Sequence, residues 1–202
     1  MIHLHFPTPI FIVDELLTEE AHNSLKKKCD AIKGDITKTG FDIGWYCNVK
    51  TSFGNLDYKP HKDEDFINLV EHITGQAENF LKEIESPYKN VIPTNCWINV
   101  SNRGDYQEQH THPNSSLSCV YYVKAPQGSG NTVFLNPYTK HSTFMGENCP
   151  VTKQTTTYAA EERKLILFES HVPHMVTPHE SDEERLTISV NFTVEEGIEI
   201  DG

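Results

Sequence analysis

The sequence predicts an α+β domain, with a helical N-terminal portion supporting a C-terminal β-sandwich, barrel or jelly roll. Three observations lead there. Two stripes of apolar residues at helical spacing lie before residue 90. After about Val91 the texture becomes short strand-like runs separated by turn-forming clusters. The 202 residues suit one domain with a core large enough to need no disulfide. We therefore expect 1–202 to be a single unit, with 1–90 as mixed support and 91–195 as the β core.

FPTPIFIVDEL reads as a short strand leading into a helix. Leu17, Ala21, Leu25, Cys29 and Ile32 then recur at helical spacing. Thr18 suits the N-cap, Glu19 and Glu20 the first turn, and Gly34 a C′ stop. GWYCNVK reads as a strand. The second helix is marked by Phe66, Leu69, Val70, Ile73, Ala77, Phe80, Leu81 and Ile84, with acids from Asp63 to Asp65 before it and Pro87 beyond. Both helices are expected to cover one face of a sheet. The later strands are NCWINVS, SLSCVYYVK, NTVFLNP, TTTYAA, KLILFES and RLTISVNFTV, divided by segments such as APQGSGN and TPHESDEE. Many short strands in about a hundred residues point to a roll or sandwich.

Composition narrows the function. With 17 basic and 29 acidic residues the formal charge is −12, which disfavours a phosphate backbone as partner, so no nucleic acid is expected. No run is long and apolar enough for a membrane helix, and MIHLHFPTPIFIVDEL lacks the basic start of a signal peptide. Five scattered cysteines without a CxxC pair favour a reducing compartment, hence the cytoplasm.

Of the eleven histidines, His110, His112, His171 and His174 stand out. Residues i and i+2 of an extended segment share a face, so His110 and His112 would present both imidazoles to one interior. KLILFESHVPHMV offers a third ligand from a turn carrying His171 and His174. Three protein ligands on one face leave open positions for water, substrate and dioxygen at a metal. Asp105 or Glu108 could replace one of the paired histidines as a ligand. Arg185 opens the strand RLTISVNF, eleven residues after His174. A buried arginine is costly unless paired, and its planar fork suits a carboxylate, so it suggests recognition of an acidic small molecule.

Gly104-x5-His110-x-His112, followed by SLSCVYYV, SGNTVFLNP, LILFESHVPH and RLTISVNF, resembles the iron(II)- and 2-oxoglutarate-dependent oxygenase superfamily. More narrowly, it is similar to the small oxygenases of phages and bacteria. The resemblance covers roughly Asn95 to Val194. It implies a double-stranded β-helix (jelly roll) core with the N-terminal helices packed on one sheet. It also implies Fe(II) and 2-oxoglutarate as cofactors and hydroxylation of a small-molecule or peptide substrate. His110 and His174 match the family's two histidines, and Arg185 matches the arginine that holds the 2-oxoglutarate tail. His112 falls where the family normally has a carboxylate, which makes the implied metal set His110, His112 and His174. Asn99, Ser118, Tyr121, Tyr122 and Asn191 are candidates for the cofactor's oxygens, although only one of Tyr121 and Tyr122 can point inward.

Other readings remain. The Gly–His–His spacing also fits the opening of the cupin pattern, which would give a three-histidine metalloenzyme without 2-oxoglutarate. A zinc hydratase or hydrolase suits three histidines but leaves Arg185 unexplained. A non-catalytic jelly-roll binding protein is a third reading. The loops 34–42, 51–61 and 138–156 are the expected lid and specificity elements, and an exposed edge strand would pair two copies into a homodimer.

Overall fold

The chain is described by a computed structural model over residues 7–55, 60–138 and 153–196. Strand β1 (Ile10–Val13) leads to helix α1 (Glu19–Ile32). The Thr18 hydroxyl accepts the Ala21 N–H at 3.3 Å, so the helix starts where its cap predicts. Its inner stripe buries His22, Leu25 and Cys29. Gly34 does not act as a left-handed stop. The helix instead tightens into a 3-10 turn over Lys33–Asp35. Helix α2 (Glu64–Glu83) buries Phe66, Leu69, Val70, Ile73, Ala77, Phe80 and Leu81, while Ile84 falls beyond its end and is exposed.

GWYCNVK is not a strand. A 3-10 turn over Gly40–Ile43 ends at Gly44, whose φ of 87° only glycine adopts freely. The chain then runs irregularly until β2 (Lys50–Thr51). The remaining strands are β3 (Tyr88–Ser101), β4 (Gln107–His110), β5 (Leu117–Lys124), β6 (Thr132–Leu135), β7 (Thr155–Tyr158), β8 (Leu165–Glu169), β9 (His174–Val176) and β10 (Arg185–Glu196).

They form two antiparallel sheets. The larger has the order β1-β8-β5-β10-β3-β2 and the smaller β4-β9-β6-β7. Alternation along the strands divides the larger sheet into two faces. On β10, Leu186, Ile188, Val190 and Phe192 join Cys119, Tyr121 and Val123 of β5 in the main core, beneath both helices. The opposite side chains of β10 are Arg185, Thr187, Ser189 and Asn191, all buried and all polar. A second cluster of Tyr122, Phe134, Ile166, Phe168 and Val172 bridges the two sheets. The result is an α+β fold with a jelly-roll core and its helices on one sheet.

The outer edge of β3 is covered by β2 only at Asn99 and Val100. Its open part carries Pro93, which has no N–H to offer a second strand. No helix among the described residues is long and apolar enough to cross a membrane.

Candidate metal and cosubstrate site

The open end of the roll brings the sequence's histidine pairs together. Before β4, Gly104 turns the chain with a φ of 89° and donates its N–H to the His179 carbonyl (2.7 Å). Asp105 accepts the Asn102 N–H at 2.8 Å. The loop is thereby fixed before it delivers His110, the last residue of β4. His110 lies directly across from His174, the first residue of β9. His174 is therefore a strand residue rather than part of a turn, and His171, next to it in the turn, is exposed. His112 lies just past β4, so extended pairing does not place it. Its N–H donates to the Ser170 carbonyl at 3.0 Å, which turns the imidazole inward.

Ligand atoms of His110, His112 and His174 all lie within 4.8 Å of one another. His110 Nδ1 is 2.8 Å from the Glu108 carbonyl and His174 Nδ1 is 2.9 Å from that of Val172. A carbonyl only accepts, so each Nδ1 carries the proton and each Nε2 keeps its lone pair for the site. The Nε2 atoms of His112 and His174 are 3.1 Å apart. Two ligands bound at right angles with bonds of about 2.1 Å would be separated by about 3.0 Å, so the spacing suits one metal between them. Burial lowers the pKa of all three imidazoles. It pushes His112 down to about 3, with His110 adding to the effect. In His110, Glu108 opposes the drop, and in His174 the other two imidazoles deepen it. Neutral imidazole is the form a metal binds.

Arg185 lines the same cavity and is only 5% exposed. Its guanidinium lies 5.5 Å from the Tyr122 ring centroid, and its Nε has no partner. No carboxylate pairs with it among the described residues, since Asp182 is taken by Arg103. Burial lowers its pKa, with Tyr122 opposing. Asn99 also lines the cavity, and its Oδ1 is buried without a partner.

The other expected residues separate. Tyr121 points into the helix-side core, where its hydroxyl meets His22 Nδ1 at 2.8 Å, so it cannot contact a ligand in the roll. Tyr122 faces inward, beneath Arg185, with its hydroxyl 2.7 Å from Thr132 Oγ1. Ser118 and Asn191 share the inner face but are absent from the cavity lining among the described residues. Ser118 donates to Asn191 Oδ1 (2.9 Å) and meets Ser170 (2.7 Å), which satisfies both side chains. Glu108 is not a metal ligand candidate here. Its carboxylate accepts from the Tyr46 N–H (2.9 Å) and from Gln107 (2.9 Å). Asp105 is occupied with its own loop. His22, His72 and His179 are hydrogen-bonded away from the site. His3, His5 and His141 lie outside the described residues, as do 56–59 and 139–152 of the expected lids.

The sequence reading missed the aromatic wall. Trp45, Trp97 and Tyr106 line the cavity, with Phe53 packed between the tryptophans at 5.4 and 5.1 Å. Trp97 is two residues before Asn99 on β3 and Thr187 two after Arg185 on β10. Extending the period-2 rule from Asn99 and Arg185 would have found both. Trp45 carried no such signal, because its segment is irregular.

Residues 95–191 match a family model described as "Putative 2OG-Fe(II) oxygenase". This stretch is similar to the 2OG-Fe(II) oxygenases. Solved structures agree in fold. A Pseudomonas putida prolyl-4-hydroxylase superposes with a TM-score of 0.64 at 13% identity, covering 93% of this chain and 94% of that one. The α-ketoglutarate-dependent epimerase SnoN from nogalamycin biosynthesis gives 0.66 at 11%, covering 92% and 76%. A Trichoplax adhaerens prolyl hydroxylase, in complex with a hypoxia inducible factor peptide fragment, gives 0.64 at 13%, covering 91% and 83%. No curated protein matches the chain. The matched family and the SnoN complex with Fe3+ and α-ketoglutarate make iron and 2-oxoglutarate the groups to test against this site. Its residues fit both groups. The three Nε2 donors suit a divalent metal, and the unpaired Arg185 suits a carboxylate.

Proposed function

We propose that this oxygenase hydroxylates a C–H bond of a small-molecule or peptide substrate, with His110, His112 and His174 holding the iron and Arg185 holding the distal carboxylate of 2-oxoglutarate. The supporting observation is the joint one. Three neutral imidazoles converge within 4.8 Å, and the cavity they share contains a buried arginine with no carboxylate partner. When bound, iron with 2-oxoglutarate and dioxygen supplies the oxidising power, and succinate and carbon dioxide are the coproducts.

The chain's own residues do the rest. The carbonyls of Glu108 and Val172 fix two imidazole tautomers, so the ligands need no rearrangement on metal binding. Arg185 gives a two-point, charge-assisted grip in a buried position, and Tyr122 supports its guanidinium. Asn99, with an unpaired Oδ1 and an amide N–H group, is placed to contact the cosubstrate or a water beside it. Phe168 and Phe134 pack around His174 at 4.6 and 5.9 Å and keep bulk water from the ligand set.

The test is anaerobic. Protein loaded with Fe(II) should develop a visible charge-transfer band only when 2-oxoglutarate is added, and on admitting air it should convert 2-oxoglutarate to succinate. A protein that binds iron through the three histidines but shows neither band nor succinate is instead a three-histidine metalloenzyme that does not use 2-oxoglutarate.

A further inference from the structure

The charges lining the site do not balance once it is loaded. Arg185 is the one charged side chain of the cavity lining among the described residues, apart from the imidazoles. As metal ligands those imidazoles are neutral and add no charge. On the proposed function, iron(II) brings two positive charges and Arg185 one, while 2-oxoglutarate brings two negative. One positive charge is left over in a buried, aromatic-walled pocket, where an uncompensated charge is costly. Glu108, the acid that acts on His110, is absent from that lining, and its carboxylate is engaged by the Tyr46 N–H and Gln107.

A second observation is independent of that sum. The Trp97 indole nitrogen is buried and has no hydrogen-bond partner, yet the ring lines this cavity and packs 5.8 Å from the His112 ring. Indole N–H only donates, so the group it lacks is an acceptor. At the mouth stand Trp45 and Tyr106, the latter tied to the Tyr46 carbonyl at 2.8 Å. Tyr46, Phe41 and Tyr106 are among the most exposed large side chains of the described residues, at 77%, 60% and 43%. Such rings cover an apolar or ring-bearing body better than a polar chain.

We infer that the substrate itself carries the missing negative charge: an oxyanion, such as a carboxylate, on an apolar or ring-bearing body, with Trp97 donating to the anion and Trp45 and Tyr106 covering the body. The inference rests on the proposed iron and 2-oxoglutarate reading and names the substrate class for it.

Sodium benzoate and its uncharged isostere benzamide are the probes, titrated anaerobically into the Fe(II)- and 2-oxoglutarate-loaded protein. Binding is read from the shift of the visible band and from calorimetry. Benzoate should bind at least about tenfold more tightly than benzamide, and Trp97→Phe should weaken benzoate by about tenfold or more and by a larger factor than benzamide, whose neutral carbonyl is the weaker acceptor. His112→Asp, which adds a negative charge to the ligand set, should erase the preference. If that variant loses its iron, the band is absent and Trp97→Phe decides alone. Equal affinity for the two probes, or no binding of benzoate below about 10 mM, overturns the inference. Failure of the band to form with 2-oxoglutarate alone strikes the underlying function instead, so the two failures are distinguishable.

Discussion

Replacing Arg185 with methionine should have opposite effects on cosubstrate binding and on stability. In the free protein Arg185 is 5% exposed, faces no carboxylate among the described residues and leaves its Nε unpaired. Among the described residues its burial is offset by Tyr122, 5.5 Å away, an interaction of about 1–2 kcal/mol. Exchanging a buried ionic group for a well-packed apolar one is commonly neutral to stabilising by about 1–4 kcal/mol. Methionine is unbranched and adaptable enough to lie along the same path. After the loss of the Tyr122 contact, a net gain of about 1 kcal/mol remains, or roughly 2–4 °C in Tm for a chain of this size. Removing one partner of a buried charged pair costs about 2–5 kcal/mol in binding, so 2-oxoglutarate should bind roughly 30- to several-thousand-fold more weakly. Thermal unfolding of the metal-free protein gives the first quantity and anaerobic calorimetry with 2-oxoglutarate the second. A variant that melts several degrees lower yet binds 2-oxoglutarate within about threefold of the parent would show that Arg185 is a structural residue, and would refute the reasoning.

Other expectations follow from the same geometry. Tyr121→Phe removes a buried hydrogen bond to His22 and should cost about 1 kcal/mol without changing 2-oxoglutarate affinity, whereas Tyr122→Phe should weaken both. Denaturant melts and calorimetry separate the two. The site histidines are held neutral in the folded chain, so below about pH 6.5 the unfolded state binds more protons. Stability of metal-free protein should thus be fully present above that value and be lost as pH falls toward about 3. His112→Phe should flatten this acid limb, measured as Tm between pH 7.5 and pH 4.5. Fe(II) should raise the Tm of the parent, and a chelator should reverse it. His110→Ala, His112→Ala and His174→Ala should each abolish that rise, and His171→Ala should leave it intact.

Much of this was legible in the chain because two periodicities carried it. The 3.6-residue stripe from Phe66 to Leu81 located α2, and Thr18 located the start of α1. The alternation of Arg185, Thr187, Ser189 and Asn191 with large apolar residues marks β10 as a strand with a polar inner face. His110, His174 and Arg185 stood out as site candidates because each sits on or beside such a strand. His112 was reached by a rule that does not hold it in place, since a single bond to Ser170 orients it. The other candidates could not be sorted from local pattern. Ser118 and Asn191 share the alternation but lie opposite each other on β5 and β10 and bond each other. Tyr121 and Tyr122 could not be told apart without the register, which pairs Tyr122 with Thr187 and Tyr121 with Ile188 of β10. The wall at Trp45 comes from an irregular segment tied across to β4 by Tyr46, Cys47, Gln107 and Glu108. Such long-range bonds leave no local pattern.

The most direct measurement is a crystal structure of the anaerobic complex with Fe(II) and 2-oxoglutarate, with anomalous data collected at the iron edge. The prediction is one iron peak bound by the Nε2 atoms of His110, His112 and His174, and a 2-oxoglutarate whose distal carboxylate lies on Arg185. An iron held by Glu108 or Asp105 in place of His112, or a cosubstrate that leaves Arg185 unpaired, would contradict it.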